Sequence, residues 1–290
     1  MNNPLLSIVI ATYNSVDVLG NCLESLSAQR FRNFEVIIQD GASTDGTVAL
    51  ATSFAPALPR LEVESEADTG VYDAWNKVLS RLRGRWTLFL GGDDMLAGPD
   101  VLGCCAAVLV GLPPQVWYAC GDVAYVYPDG STVTHSGRAE GALRRMEERV
   151  PFCHSSLWHR TTLFAEHRFD PAFRIAADYD FICRTWTHDG MGHTLGFTVT
   201  FMGVGGLSTH PRYRLLTLWE NTRIAKMHGY PVLTARRTVP LLKAILLWGV
   251  CACVGARGPA LLDRLRLLRG LTPCWTTQAP PLMGKTDDKG

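Results

Sequence analysis

The run LLSIVIATY, Leu5 to Tyr13, decides the fold. It is rich in strand-forming residues and apolar enough throughout for a buried strand, with no polar alternation, and it is far too short for a bilayer core of roughly 30 Å. A strand apolar on both sides is one covered on both faces, as in a parallel sheet. Working outward, Asn14 and Ser15 offer helix caps, and Val18, Leu19, Cys22, Leu23 and Leu26 recur at helical spacing. FEVIIQ (Phe34 to Gln39) is a second strand, Asp40-Gly41 a turn, and Asp45 a cap for a helix reaching Phe54. A third strand near Leu61 to Glu64 leads to a helix over Val71 to Leu82, and a fourth, Trp86 to Leu90, ends in Gly91-Gly92-Asp93-Asp94. This alternation predicts an α/β fold with right-handed crossovers and a doubly wound, mostly parallel sheet, its ligands gathered at the carboxyl ends of the strands.

Farther along, Pro99 suits the first turn of a helix over Asp100 to Val110, and Val116 to Val126 reads as a strand. Pro128-Asp129-Gly130-Ser131 is a hairpin turn. The charged stretch Arg138 to Arg149 reads as a surface helix or a mobile loop over the site. A short strand at Ser155 to Trp158, a helix over Tyr179 to His188 and a strand over His193 to Met202 follow.

A chain of 290 residues, 47% apolar, can bury a sizeable core. Its net charge of +1 excludes a general nucleic-acid binder, which needs a strong basic excess. The nine cysteines form no CxxC pair and mostly lie in apolar runs, and no basic-then-apolar leader opens the chain, so a cytoplasmic location is expected. The last part differs: Arg223, Lys226, Arg236, Arg237, Lys243, Arg257, Arg264, Arg266 and Arg269 are opposed only by Asp263. The apolar run Ala244 to Val254 is too short to span a bilayer. Leu261, Leu262, Leu265 and Leu268 share one helical face, the pattern of an in-plane amphipathic helix. Residues 223–290 are therefore expected to attach peripherally to a membrane, on the inner face of the plasma membrane; the alternative is a helical hairpin packed on the domain.

Chemistry-bearing residues concentrate at the predicted strand ends. Asp40 closes the second strand, and the following GASTDG turn lets backbone approach a ligand. Asp93 and Asp94 stand on a tight turn and suit Mg²⁺ or Mn²⁺, which needs only one or two carboxylates beside phosphate and water oxygens. Asp178 and Asp180 in IAADYDF are candidate general bases on different faces of a helix, so that one enters the site while the other caps or pairs with Arg184. His154 in the CHSS turn is a candidate contact to acceptor or phosphate, whereas His159 reads as ordinary packing. No Ser-His-Asp, Walker or zinc pattern occurs.

These blocks together resemble the family 2 glycosyltransferases of the GT-A fold, from about Ser7 to Gly229. The resemblance is carried by SIVIATYN (Ser7 to Asn14), QDGASTDGT (Gln39 to Thr47), EADTGVYDAWNK (Glu66 to Lys77), FLGGDD (Phe89 to Asp94), CHSSLWHR (Cys153 to Arg160), IAADYDF and GGLST (Gly205 to Thr209). It implies transfer of a sugar from a nucleotide-sugar donor, by default a UDP-sugar, to a saccharide or lipid-linked acceptor in an inverting single displacement. It implies a domain over 1–222, with a nucleotide-sugar-binding half (1–98) and an acceptor half (99–222). By position, Thr12, Tyr13, Asn14, Asp40 and Gly41 would border the nucleotide, Asp68 the ribose or diphosphate, Asp93 the metal with Asp94 beside it, and Asp178 would be the base. His154 and Asp180 would meet acceptor or phosphate. Gly91 departs from the Asp or Asn frequent there, which leaves Asp93 as principal metal ligand and raises the alternative of an inactive relative that binds nucleotide-sugar at a membrane surface. A sugar-phosphate nucleotidyltransferase would show a Gly-rich basic loop where ATYNSVD stands, and a receiver-like domain would not need the long second half.

Overall fold

The computed structural model describes residues 3–127, 130–203 and 213–268. Its first half repeats strand and helix as expected: β1 (Leu6–Thr12), α1 (Val16–Ser27), β2 (Phe34–Asp40), α2 (Thr47–Ser53), β3 (Leu61–Ser65), α3 (Val71–Val78), β4 (Trp86–Gly91). These four strands are parallel, with Leu6 opposite both Phe34 and Trp86. Alternate side chains feed opposite faces: Leu6, Ile8 and Ile10 enter one apolar core with Phe34, Val36 and Ile38, while Val9 and Ala11 enter the other with Ile37 and Phe89. Both faces are covered, which is why β1 reads as unbroken apolar sequence.

The second half adds β5 (Asp94–Leu96), α4 (Val101–Leu109), β6 (Tyr118–Val126), β7 (Thr132–His135), α5 (Ala142–Met146), β8 (Leu157–Arg160), α6 (Ala177–Thr185) and β9 (Gly192–Gly203). The sheet runs β3-β2-β1-β4-β8-β6-β9-β5, with β7 paired to β6. Here, among the described residues, parallel pairing persists only between β6 and β9; β8 is antiparallel to β4 and β6, and β5 to β9. The sheet is continuous across residue 98, and both cores draw residues from either side of it.

Several local expectations are corrected. The stretch 138–149 is not merely a surface element, because Ala139, Ala142 and Met146 are buried and α5 packs its apolar side into the core. The strand near Ser155 starts at Leu157, since His154–Ser156 form a 3-10 turn. The helix placed over Tyr179 to His188 stops at Thr185, where Trp186 takes extended backbone and stacks on Tyr118 (4.8 Å) and Phe152 (5.0 Å). Two of the expected features, Pro128-Asp129 and the GGLST block, lie outside the described residues, as does Arg269.

The C-terminal helices are α7 (Arg214–Met227), α8 (Ala235–Val254) and α9 (Gly258–Leu267). No helix among the described residues is long and apolar enough to cross a membrane. The expected single leucine face on α9 divides: Leu262 is buried, whereas Leu261, Leu265 and Leu268 are exposed.

Candidate active site

Register brings the strand ends together, with Thr12 beside Asp40 and Ala11 beside Gly91. The loop after β2 is held close to β1: Gly41 N–H donates to Thr12 O (2.8 Å), Asn14 N–H to Ser43 Oγ (2.8 Å), and Thr44 N–H to Asn14 Oδ1 (3.0 Å). Asn14 (φ 46°) and Ala42 (φ 62°) take left-handed backbone, uncommon for residues with a side chain and a mark of a tightly determined loop. A Cβ on Gly41 would lie 2.8 Å from Asp68 Oδ2 and 3.3 Å from Tyr13 Cδ2, so Tyr13, Gly41 and Asp68 close on one spot that a side chain at position 41 would crowd. Asp68 Oδ1 accepts from Gly70 N–H (3.0 Å), while Oδ2 is buried without a protein partner. Burial, with Asp73 and Asp40 nearby, holds this carboxyl above the usual carboxylate range. An unsatisfied acceptor of this kind calls for a donor from a ligand.

Thr12 and Asp40 sit differently from the positions expected of ligand contacts. Both are fully buried. Asp40 Oδ1 accepts from the Thr12 hydroxyl (2.9 Å) and the Ser43 hydroxyl, and Oδ2 from Ser43 N–H (2.8 Å) and the Ser65 hydroxyl (2.7 Å). As arranged, these two residues brace the loop from behind. Asp45 likewise does more than cap one helix: its oxygens accept from Thr47 N–H (3.0 Å), at the start of α2, and Val16 N–H (3.1 Å), at the start of α1. Neither Asn14 nor Ser15 caps α1 through its side chain.

Asp93 is exposed and Asp94 is buried, and both fold over Gly91, whose hypothetical Cβ would lie 2.9 Å from Asp93 Oδ1 and 2.7 Å from Asp94 Oδ2. The missing side chain at position 91 is thus the space the two carboxylates use. Asp94 Oδ2 accepts from Gly91 N–H (3.2 Å) and the Ser155 hydroxyl, and Oδ1 has no protein partner. Burial and the charge of Asp93 push the Asp94 carboxyl up to about 7. Among the described residues no group of three or more His, Cys, Asp or Glu could hold a metal unaided. Two uncompensated carboxylates with an orphaned oxygen fit a hard cation that takes its other ligands from phosphate and water.

Asp178 stands in the first turn of α6 with 18% of its side chain exposed. Its Oδ1 accepts from Tyr72 OH (3.1 Å) and Tyr179 N–H (2.8 Å), and Oδ2 lies 3.7 Å from His154 Nδ1. Burial pushes its carboxyl up to about 6. His154 stacks on Trp75 (4.9 Å between ring centres), neither ring nitrogen has a hydrogen-bond partner, and burial beside His159 pulls its imidazole well below the usual range. Adjacent residues of one turn therefore reach two centres: Ser155 touches Asp94 and His154 flanks Asp178.

Asp180 does not join them. It is buried on the other side of α6, paired with Arg184 Nε (2.7 Å) and His228 Nε2 (3.1 Å), and so ties α6 to α7 instead of meeting acceptor or phosphate. Reasoning from sequence also missed Tyr72, Ser155 and Glu220. Glu220, buried on α7, accepts from Arg174 N–H (2.8 Å), Ile175 N–H (2.9 Å) and Ala176 N–H (3.0 Å), and so holds the segment that leads into the helix carrying Asp178. The one sequence signal for Tyr72 and Ser155 was their place inside the EADTGVYDAWNK and CHSS blocks; Glu220 had none.

The model of the family described as "Glycosyl transferase family 2" matches residues 7–152. A "PGL/p-HBAD biosynthesis glycosyltransferase" of Mycobacterium bovis (strain BCG / Pasteur 1173P2) is 35% identical over 195 residues, covering 66% of this chain and 73% of that protein. Among solved structures, "Mannosyltransferase PcManGT from Pyrobaculum calidifontis in complex with GDP-Man and Mn2+" aligns with a TM-score of 0.61 at 19% identity, covering 95% of this chain and 83% of that one. Staphylococcus aureus TarS in complex with UDP-GlcNAc aligns with a TM-score of 0.58 at 18% identity, covering 84% of this chain and 72% of that one. A family match across these strand ends and a relative of this identity lead to one conclusion: the chain belongs to glycosyl transferase family 2, and it is a glycosyltransferase of the GT-A fold.

Proposed function

We propose that the chain moves a sugar from a UDP-sugar to a hydroxyl of a saccharide or lipid-linked acceptor, inverting the anomeric carbon in a single displacement. The observation that carries this reading is the turn 153–156, which links the Asp93-Asp94 pair to Asp178 through Ser155 and His154. Tyr13, Gly41 and Asp68 border the nucleotide, with Asp68 Oδ2 taking a hydroxyl or ring N–H. Asn14 holds the loop that shapes this border. Asp93 and Asp94 would hold Mg²⁺ or Mn²⁺, which stabilises charge on the departing diphosphate.

Asp178 removes the acceptor proton while the acceptor oxygen bonds to the anomeric carbon and the bond from that carbon to the diphosphate oxygen breaks, its electron pair leaving with the nucleotide. Tyr72 and the α6 backbone fix the carboxylate, and its raised proton affinity suits a base working near neutral pH. His154, kept neutral, packs beside this carboxylate and offers ring nitrogens to acceptor or phosphate. The inactive-binder reading rests on Gly91, yet the two aspartates occupy the very space a side chain there would need.

Thermal shift with a panel of nucleoside diphosphates and their sugars, with and without Mn²⁺, tests the donor half of the proposal. The expected result is Mn²⁺-dependent stabilisation by UDP and one UDP-sugar that disappears in Asp93→Ala. Stabilisation by a guanosine nucleotide alone would replace the UDP assignment, and donor binding without turnover on any acceptor would favour the inactive relative.

A further inference from the structure

The C-terminal helices present an apolar face whose surroundings are positively charged. On α8, Val239 (60% exposed), Leu242 (65%), Ile245 (50%) and Leu246 (68%) fall on one side of the helix, at spacings of three, three and one. On α9 and its C-terminal cap, Leu261, Leu265 and Leu268 recur at spacings of four and three, all exposed. The opposite sides of both helices are engaged with the protein: Ala244 and Leu262 are buried. Arg237, also buried, donates to Asn221 O (2.9 Å), Glu147 O (2.8 Å) and Tyr179 OH (3.1 Å). The start of α8 is therefore fastened to α7, to the turn after α5, and to α6, the helix of Asp178.

Charge decides the occupant. Between residues 235 and 268 the sequence has Arg236, Arg237, Lys243, Arg257, Arg264 and Arg266 against a single acid, Asp263, which is buried; of the basic residues, Arg237 is buried and Arg236 pairs with Glu148 (2.7 Å). Lys243, Arg257 and Arg264 are exposed beside the leucines. A second copy docking through the same face would bring positive rims together, whereas an anionic bilayer surface satisfies both the apolar stripe and its flanks. We propose that the outer faces of α8 and α9 dock in the plane of an anionic lipid surface, and that the Arg237 clamp sets the orientation of the catalytic cleft relative to that surface. This does not depend on which donor the site takes.

The full chain would be floated with vesicles of phosphatidylcholine and phosphatidylglycerol, and separately with phosphatidylcholine alone. Wild type should float with the anionic vesicles and about tenfold less with the neutral ones or in high salt. Leu242→Glu combined with Leu246→Glu should remain at the bottom of the gradient with its unfolding midpoint and nucleotide-induced shift intact, and Lys243→Glu should float less than wild type. The proposal is overturned if wild type ignores both vesicles, if the double variant floats as well as wild type, or if the leucine substitutions instead convert a wild-type dimer that does not float into a monomer.

Discussion

Asp178 holds its proton until about pH 6 because its carboxyl is buried, and a general base must first lose that proton. The kcat/KM of the enzyme should therefore rise with pH through about 6 and level off above it. Asp178→Asn should lower kcat by about 10²–10⁴ with nucleotide binding unchanged; a flat profile in wild type, or near-normal turnover in the variant, would remove Asp178 from the role. Asp178 stood out in the sequence because IAADYDF resembles a family block. The protein partners of Asp40 were not legible there, since a carboxylate at a strand end looks the same in sequence whether its lone pairs face a ligand or, as here, two serines, a threonine and a backbone amide. The pairing of Asp180 with Arg184 was legible from the i, i+4 spacing, but the sequence gave no hint of His228, which follows α7.

At the scale of elements, α6 depends on a side chain that comes from another helix. The three amides just before it, Arg174, Ile175 and Ala176, all point to Glu220, whose negative charge also suits a helix N-terminus. Glu220→Ala should leave those buried donors unsatisfied, cost about 2–4 kcal/mol in urea unfolding, and reduce kcat more than nucleotide affinity. Glu220→Gln, which keeps an acceptor but loses the charge, should recover much of the stability and displace the acid limb of the pH profile to lower pH. An unchanged limb would make Glu220 a structural brace only. The strands and helices of the first half were legible because each obeys one period and has its own turn chemistry. The helix α5 was obscured by the charged residues around its buried Ala142 and Met146, and the short strands β5 and β7 exist through pairing with β9 and β6, which local sequence does not encode.

The whole molecule carries two carboxyls raised well above their ordinary value of 3.8, Asp178 to about 6 and Asp94 to about 7. Each folded-state value exceeds the unfolded one, so its contribution to stability is complete below about pH 4 and is lost as pH rises through 6 and 7. The Tm measured without divalent cation should decline between about pH 4 and pH 7 and level off above that, at about 2–4 °C per kcal/mol for a domain of this size. Asp94→Asn should flatten the decline and raise the Tm at pH 8, where wild type must bury a charge; an equally steep decline in the variant would assign the effect elsewhere. Fold class was legible at this scale from four alternations alone, whereas the mixed second half required long-range pairing.

The continuous sheet has a consequence for recombination among related genes. A crossover near residue 98 would separate β4 from β8, β5 from β9, and Tyr72 from its bonds to Ile175 O (2.6 Å) and Asp178. Asn76, whose side chain both donates to and accepts from the Phe169 backbone, would lose its partner as well. Donor preference therefore cannot be exchanged by swapping the first third of the chain. A productive chimera would transplant the short loops at the strand ends and leave both sides of the junction from one parent.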